Sequence, residues 1–218
     1  MKGDAAARAG KGTRRTLIIG CMMTAALVLG WAAGAAAGTE SPMAELKASV
    51  DRILDVLKTP DLKSGDKLEI RREKLREIAE ERFDYRRMSQ LSLARHWKGR
   101  TDEEKETFIR LFRELLEDSY MSKIESYTDE EVVYVKERIK KKKSKEYAQI
   151  DTKIITQTAE IPINYKMYRK DGRPWMVYDM VIEGVSMVNN YRSQFAQFLE
   201  GNSFEKLVDR LKEKKTDE

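Results

Sequence analysis

Asp179 is the residue whose surroundings most suggest chemistry. It lies among apolar residues within a stretch of strand-like alternation, and a carboxylate in such surroundings can act as a tuned acid or base. Small cone-shaped α+β folds host isomerases and dehydratases that pair an aspartate with a tyrosine or histidine. Tyr165, Tyr178 and Tyr191 could supply that hydroxyl. The alternative, which we favour, is a structural ion pair, for instance with Arg192, because buried charges are usually paired.

Metal and nucleotide chemistry have little support in this sequence. His96 is the only histidine and Cys21 the only cysteine, whereas transition-metal sites usually combine several such ligands. The glycine-rich loop that binds nucleotide phosphates is also missing from the sequence. We therefore expect no metal, no cofactor and no enzymatic activity.

A basic run, RIKKKKSK at residues 138–145, has no aromatic residues between its charges. It could contact anionic lipid head groups, at about 1 kcal/mol or less per basic residue, or an acidic partner protein. The alternative is a solvated hairpin loop whose charges protect a strand edge from aggregation.

The first 37 residues have the pattern of a secretory signal peptide. Basic residues precede an uncharged run over residues 16–38, and Ala35-Ala36-Ala37 offers a cleavage site. Without residues 1–37 the formal charge falls from +5 to +1 and no cysteine remains. The basic character is therefore no evidence for nucleic-acid binding. The alternative is an uncleaved membrane anchor, since about 20 apolar residues span a bilayer. Residues 38–218 are expected to form a single domain.

Apolar residues recur at helical spacing in the first part of this domain and alternate in the second. The hairpin turn at residues 170–174 and the break at Gly184 separate the last predicted elements. Predicted helices cover residues 41–58, 68–79, 83–97 and 101–120, predicted strands begin near 133, 148, 161 and 175, and a final helix follows Ser186. The predicted fold is α+β, with helices packed over a curved, mainly antiparallel sheet of about four strands that encloses an apolar cavity.

The stretch from Trp175 to Phe195, WMVYDMVIEGVSMVNNYRSQF, is the most distinctive string in the chain. Weaker blocks are FDY at 83–85, LARHW at 93–97, the helix at 108–120 and INYKM at 163–167. Together these blocks resemble the MlaC family, also called the toluene-tolerance or Ttg2 family, over about residues 45–211. Ala94 stands where that family commonly has glycine.

The resemblance implies a periplasmic carrier that holds the acyl chains of a phospholipid between sheet and helices. Family partners are an inner-membrane ABC transporter complex and an outer-membrane lipoprotein complex, and the transport maintains outer-membrane lipid asymmetry. A sister branch accompanies hopanoid biosynthesis, so a polycyclic lipid is the alternative cargo. On this basis we expect a monomer that needs no catalytic residue and binds phospholipid as cargo.

Candidate residues for the cavity lining come from one face of each predicted strand and from the helix before them. Methionine and aromatic residues in these strands fit either an ordinary core or an adaptable pocket. The candidates are Phe112, Leu116, Val133, Val135, Ile150, Ile154, Ile163, Tyr165, Met167, Val177 and Val181.

Overall fold

The computed structural model describes residues 40–63, 65–126 and 130–213, so the predicted leader lies outside the described residues. The helices are α1 (Pro42–Lys58), α2 (Leu68–Arg82), α3 (Tyr85–Leu93), α4 (Asp102–Glu125), α5 (Met187–Gly201) and α6 (Phe204–Glu213). The strands are β1 (Glu131–Lys142), β2 (Lys145–Ile155), β3 (Glu160–Lys170), β4 (Met176–Ile182) and β5 (Val185–Ser186). Within the described ranges, every helix is too short or too polar to span a bilayer.

Helix starts follow the capping residues of the sequence. The Ser41 hydroxyl accepts a hydrogen bond from the Ala44 amide at 3.1 Å, ahead of a proline in the first turn of α1. Thr101 and Glu104 form a reciprocal capping box at the start of α4. These local bonds satisfy amides that have no partner within the helix, which explains why the predicted starts of α1 and α4 are confirmed.

Two predicted helices end differently from their predicted bounds. Helix α3 ends at Leu93 because Ala94 adopts a positive φ of 47°, and a short 3₁₀ turn follows. The closing segment breaks at Asn202–Ser203, which separates α5 from α6. Both breaks turn the chain so that short helices pack against α4.

The sheet is an antiparallel meander in the order β1-β2-β3-β4-β5. The α+β fold is confirmed, with one strand more than expected, because the chain returns after Gly184 as the two-residue strand β5. The junction between α2 and α3 closes the same edge of β4, where Phe83 bridges Val177 and the Asp84 amide donates to the Val177 carbonyl at 2.9 Å. Strand β1 forms the opposite edge.

The basic run lies mainly in a strand and not in a loop. Residues 138–142 belong to β1, and only Lys143 and Ser144 form the turn to β2. Opposite charges across the two strands support this extended structure: Lys141 lies directly opposite Glu146, and Arg138 forms a diagonal ion pair with Asp151 at 2.5 Å.

Two β-bulges shift the faces to which side chains point. Val135 is the extra residue in β1, between Tyr134, which pairs with Thr152, and Lys136, which pairs with Asp151. Tyr178 is the extra residue in β4, since Val177 pairs with Met167 but Asp179 pairs with Lys166. Each bulge reverses the alternation that follows it.

Among residues 40–63, 65–126 and 130–213, the buried apolar side chains form three clusters. The largest joins α3, α4, α5 and α6, the second joins α1 to the sheet, and the third joins α1, α2 and α4. Phe83 and Met180 contact both the first and the second cluster. Helix α1 contacts β1 and β2, whereas α3 and α5 contact β4 and also pack on the other later helices.

Candidate functional site

One face of the sheet carries most of the predicted lining. Direct cross-strand pairs place Ile150 opposite Tyr165, and Met167 opposite Val177. Because paired residues share a face, the register collects six of the predicted residues on this face, which we call the inner face: Ile150, Ile154, Ile163, Tyr165, Met167 and Val177.

Helix α1 covers part of the inner face. Leu46 packs with Ile150, Met167, Trp175 and Val177 in one cluster, and Ile150, Met167 and Val177 retain none of their accessible surface. This end of the inner face is therefore a filled core.

A buried polar clamp fixes α1 in this position. Arg82, at the end of α2, donates to Glu45 at 2.6 Å, to Ser49 at 2.9 Å and to the Trp175 carbonyl at 2.5 Å. The Trp175 amide donates to Glu45 at 3.0 Å. The clamp joins α1, α2 and the start of β4, and no sequence pattern pointed to it, since Glu45 and Trp175 are 130 positions apart.

The other part of the inner face is less tightly filled. Burial raises the pKa of Tyr165 to about 12, yet its side chain is only half-buried. Burial likewise raises the pKa of neighbouring Tyr134, whose hydroxyl has no hydrogen-bond partner among the described residues. Ile154 is also half-buried. These half-buried side chains contrast with the fully buried Ile150, Met167 and Val177 beneath α1.

Three predicted lining residues do not share the inner face, and their prediction requires correction. Val135 sits at the β1 bulge and is 56% exposed. Val133 pairs with Lys153, and Val181 pairs with Asn164, so both point to the opposite face. Strict alternation placed these valines with their neighbours because it takes no account of bulges.

Phe112 and Leu116 lie in the helical cluster. The Phe112 ring centroid is 5.2 Å from that of Tyr191, 5.6 Å from Phe195 and 5.7 Å from Phe108. Phe112 is fully buried and Leu116 nearly so. These two residues are thus part of an aromatic core on α4 and α5, away from the α1-covered end of the sheet.

Two clefts open between the helices. One of about 390 Å³ lies among α4, α5 and α6, and another of about 360 Å³ lies beside the α5–α6 junction. The first is bordered by apolar side chains and by Gln194, Gln197 and Arg210. Neither cleft includes a residue of the predicted lining.

Asp179 has a structural role in joining β4 to β3 and to α5. Its carboxylate accepts hydrogen bonds from Lys166 Nζ at 2.8 Å, Ser186 Oγ at 2.8 Å and the Val188 amide at 3.1 Å. It therefore pairs with a lysine across the sheet and caps the start of α5. The suggested partner was wrong, since Arg192 instead donates to the Leu91 carbonyl at 2.8 Å.

The structure does not assemble the aspartate–tyrosine pair of the enzyme hypothesis. Tyr165 points to the inner face of the sheet, whereas Asp179 points to the other face. Tyr178 packs edge-on against Tyr147 and Tyr168, at centroid distances of 6.3 Å and 5.9 Å. Tyr191 belongs to the helical cluster.

His96 stands at the end of the 3₁₀ turn after α3. Burial, with Arg95 and Arg100 nearby, lowers its pKa. In the described part of the chain, His, Cys, Asp and Glu side chains do not gather into groups of three that could hold a metal ion.

Comparisons with known proteins agree with this fold. Residues 47–213 match the model of the MlaC protein family. The intermembrane phospholipid transport system binding protein MlaC of Haemophilus influenzae is 27% identical over 124 residues, which span 56% of this chain and 57% of that protein. A solved structure of a phospholipid-binding protein from Ralstonia solanacearum, in complex with a phospholipid, matches with a TM-score of 0.72 at 22% identity, over 82% of this chain and 98% of that chain. Because the family model spans most of its length, the chain belongs to the MlaC family.

Proposed function

We propose that this protein is a periplasmic phospholipid carrier that holds acyl chains against the open part of the inner face. The observation that carries the proposal is Tyr165, an apolar-face residue that is only half-buried although its cross-strand partner Ile150 is fully buried under α1. Family membership and the phospholipid in the Ralstonia solanacearum structure support it.

A carrier of this kind needs apolar walls and no reacting group. Exposing acyl chains to water costs about 0.8 kcal/mol per CH₂, or on the order of 20 kcal/mol for two chains, so free phospholipid hardly crosses an aqueous compartment. A pocket with apolar walls gives the chains surroundings similar to a bilayer interior. Cargo can then enter and leave without a covalent step.

The lining we propose is smaller than the sequence prediction. Ile150, Met167 and Val177 form the packed floor beneath α1. The residues proposed to touch lipid are Tyr165 and Ile154, bordered by Ile163. Tyr134, which the sequence analysis did not single out, lies beside Tyr165 and joins them.

The proposed cellular route follows the family. Residues 1–37 would direct export, and residues 38–218 would form the carrier domain, acting as a monomer. The carrier would exchange phospholipid with an inner-membrane ABC transporter complex and an outer-membrane lipoprotein complex. A hopanoid is the alternative cargo.

The test compares two tryptophan substitutions on neighbouring strands. Ile154→Trp should fill the open part of the inner face and lower the fraction of purified protein that carries lipid, measured by extraction and mass spectrometry. Val133→Trp, on the opposite face, is the matched control and should leave occupancy unchanged. Thermal melts of both variants check folding. Equal occupancy in folded Ile154→Trp and wild-type protein would refute the proposed location.

A further inference from the structure

The tips of two hairpins meet at one end of the sheet. The Asp171 amide, in the β3–β4 turn, donates to the Ser144 carbonyl, in the β1–β2 turn, at 3.4 Å. We call residues 140–146 and 169–173 together the basic pole. These residues include eight cationic side chains and two carboxylates.

Few of these charges are neutralised within the basic pole. Glu146 pairs with Arg169 at 2.6 Å, and Asp171 lies 3.7 Å from Lys170. Residues 140–143 are all exposed lysines, and Arg173 is also exposed. The basic pole therefore presents an excess of positive charge to solvent.

The rest of the domain has the opposite sign. Outside the basic pole, residues 38–218 carry five more acidic than basic residues. A domain that is nearly neutral overall is thus strongly polarised, and such a charge distribution orients a protein as it approaches a charged surface.

We propose that the basic pole docks the domain on a bilayer surface that contains anionic phospholipid. Six of its eight cations are lysines, flexible point charges that suit a diffuse negative surface, whereas recognition of individual carboxylates favours the planar fork of arginine. Of the two arginines, Arg169 is already engaged with Glu146 and stacked 4.8 Å from the Trp175 ring. Ile139, 47% exposed at the border of the basic pole, adds an apolar contact.

Protection of the β1 edge from aggregation is the competing explanation for these lysines. It predicts no affinity for lipid surfaces, so vesicle binding separates the two. The proposal rests on charge at the hairpin tips and not on the lipid pocket, and the two can fail independently.

The experiment measures flotation of the domain with vesicles of phosphatidylglycerol and phosphatidylethanolamine, and with vesicles of phosphatidylcholine alone. Wild-type protein should float with the anionic vesicles at low salt, and added salt should release it. The variant Lys140→Gln/Lys141→Gln/Lys142→Gln/Lys143→Gln should bind them at least about tenfold more weakly.

The control variant, Lys58→Gln/Lys74→Gln/Lys98→Gln/Lys206→Gln, removes the same charge from exposed positions scattered over the helices and the α3–α4 connection. It should retain most of the binding.

Failure of wild-type protein to prefer anionic vesicles would overturn the proposal, and so would equal losses in the two variants. Lipid occupancy is measured on the same samples. Unchanged occupancy in the basic-pole variant, together with weakened vesicle binding, would support docking as a separate property.

Discussion

Replacement of Arg82 by methionine tests whether the buried clamp holds α1 against the sheet. Arg82 donates to Glu45, Ser49 and the Trp175 carbonyl, and the Arg82 and Glu45 side chains are only 14% and 12% exposed. Breaking such a buried pair costs about 3–5 kcal/mol, because the remaining charge stays buried without its partner. For a domain of this size, the expected fall in Tm is about 6–20 °C.

Arg52 offers a matched control for this prediction. It also joins α1 to α2 through a glutamate, Glu81, but the two side chains are 50% and 56% exposed. Exposed pairs contribute about 0–1 kcal/mol, so Arg52→Met should lose little stability in urea unfolding followed by circular dichroism. The double variant Glu45→Gln/Arg82→Met should be more stable than Arg82→Met, since it leaves no unpaired buried charge. Similar losses for Arg82→Met and Arg52→Met would show that the buried pair does not hold α1 against the sheet.

Three further predictions concern single side chains. Asp179→Asn should lower the free energy of unfolding by about 1–3 kcal/mol through its weakened contacts with Lys166 and α5, with lipid occupancy unchanged; loss of lipid from a fully stable variant would contradict its structural role. Burial raises the pKa of Glu117, so the folded state disfavours the ionised carboxylate and loses stability as the pH rises above the ordinary glutamate value. Glu117→Gln should therefore gain stability relative to wild type as the pH rises above about 4, whereas a stability difference that stays constant with pH in urea unfolding would show that the Glu117 pKa is not raised. Tyr165→Phe should remove one ionisation step near pH 12 from an ultraviolet absorbance titration, and loss of a step near pH 10 instead would show that the pKa of Tyr165 is not raised.

Local signals in the sequence were sufficient to predict most of the helices and strands. Ser41 and Thr101 satisfy helix amides within their own first turns, and periodicity separates the helices from the strands. Such features depend on neighbours three or four positions away, so they are visible in the sequence itself. The α+β class and the antiparallel order followed from them.

Bulges explain why three of the eleven candidate lining residues, Val133, Val135 and Val181, do not lie on the inner face. Alternation places Val177, Asp179 and Val181 on one face, but the extra residue Tyr178 puts the last two on the other. A bulge depends on which residue of the partner strand forms each hydrogen bond. That residue belongs to another strand, so a single strand's pattern does not reveal the bulge. The same reversal separates Asp179 from Tyr165.

The sequence patterns also did not predict which elements pack against each other over long sequence distances. Phe112 and Leu116 have the spacing of an inward-facing helix stripe, which does not say whether the sheet or another helix lies opposite. In the structure, α5 and α6 take that place. The clamp formed by Arg82 likewise joins it to residues 37 and 93 positions away.

Native mass spectrometry of the mature protein, purified gently from a Gram-negative periplasm, tests the central claim most directly. We expect a species heavier than the polypeptide by the mass of a single lipid, which releases phospholipid on extraction. Release of a hopanoid instead would show that the protein is a lipid carrier whose cargo is a polycyclic lipid. A protein that is uniformly free of lipid, and stays so after incubation with phospholipid vesicles, would show that it is not a lipid carrier.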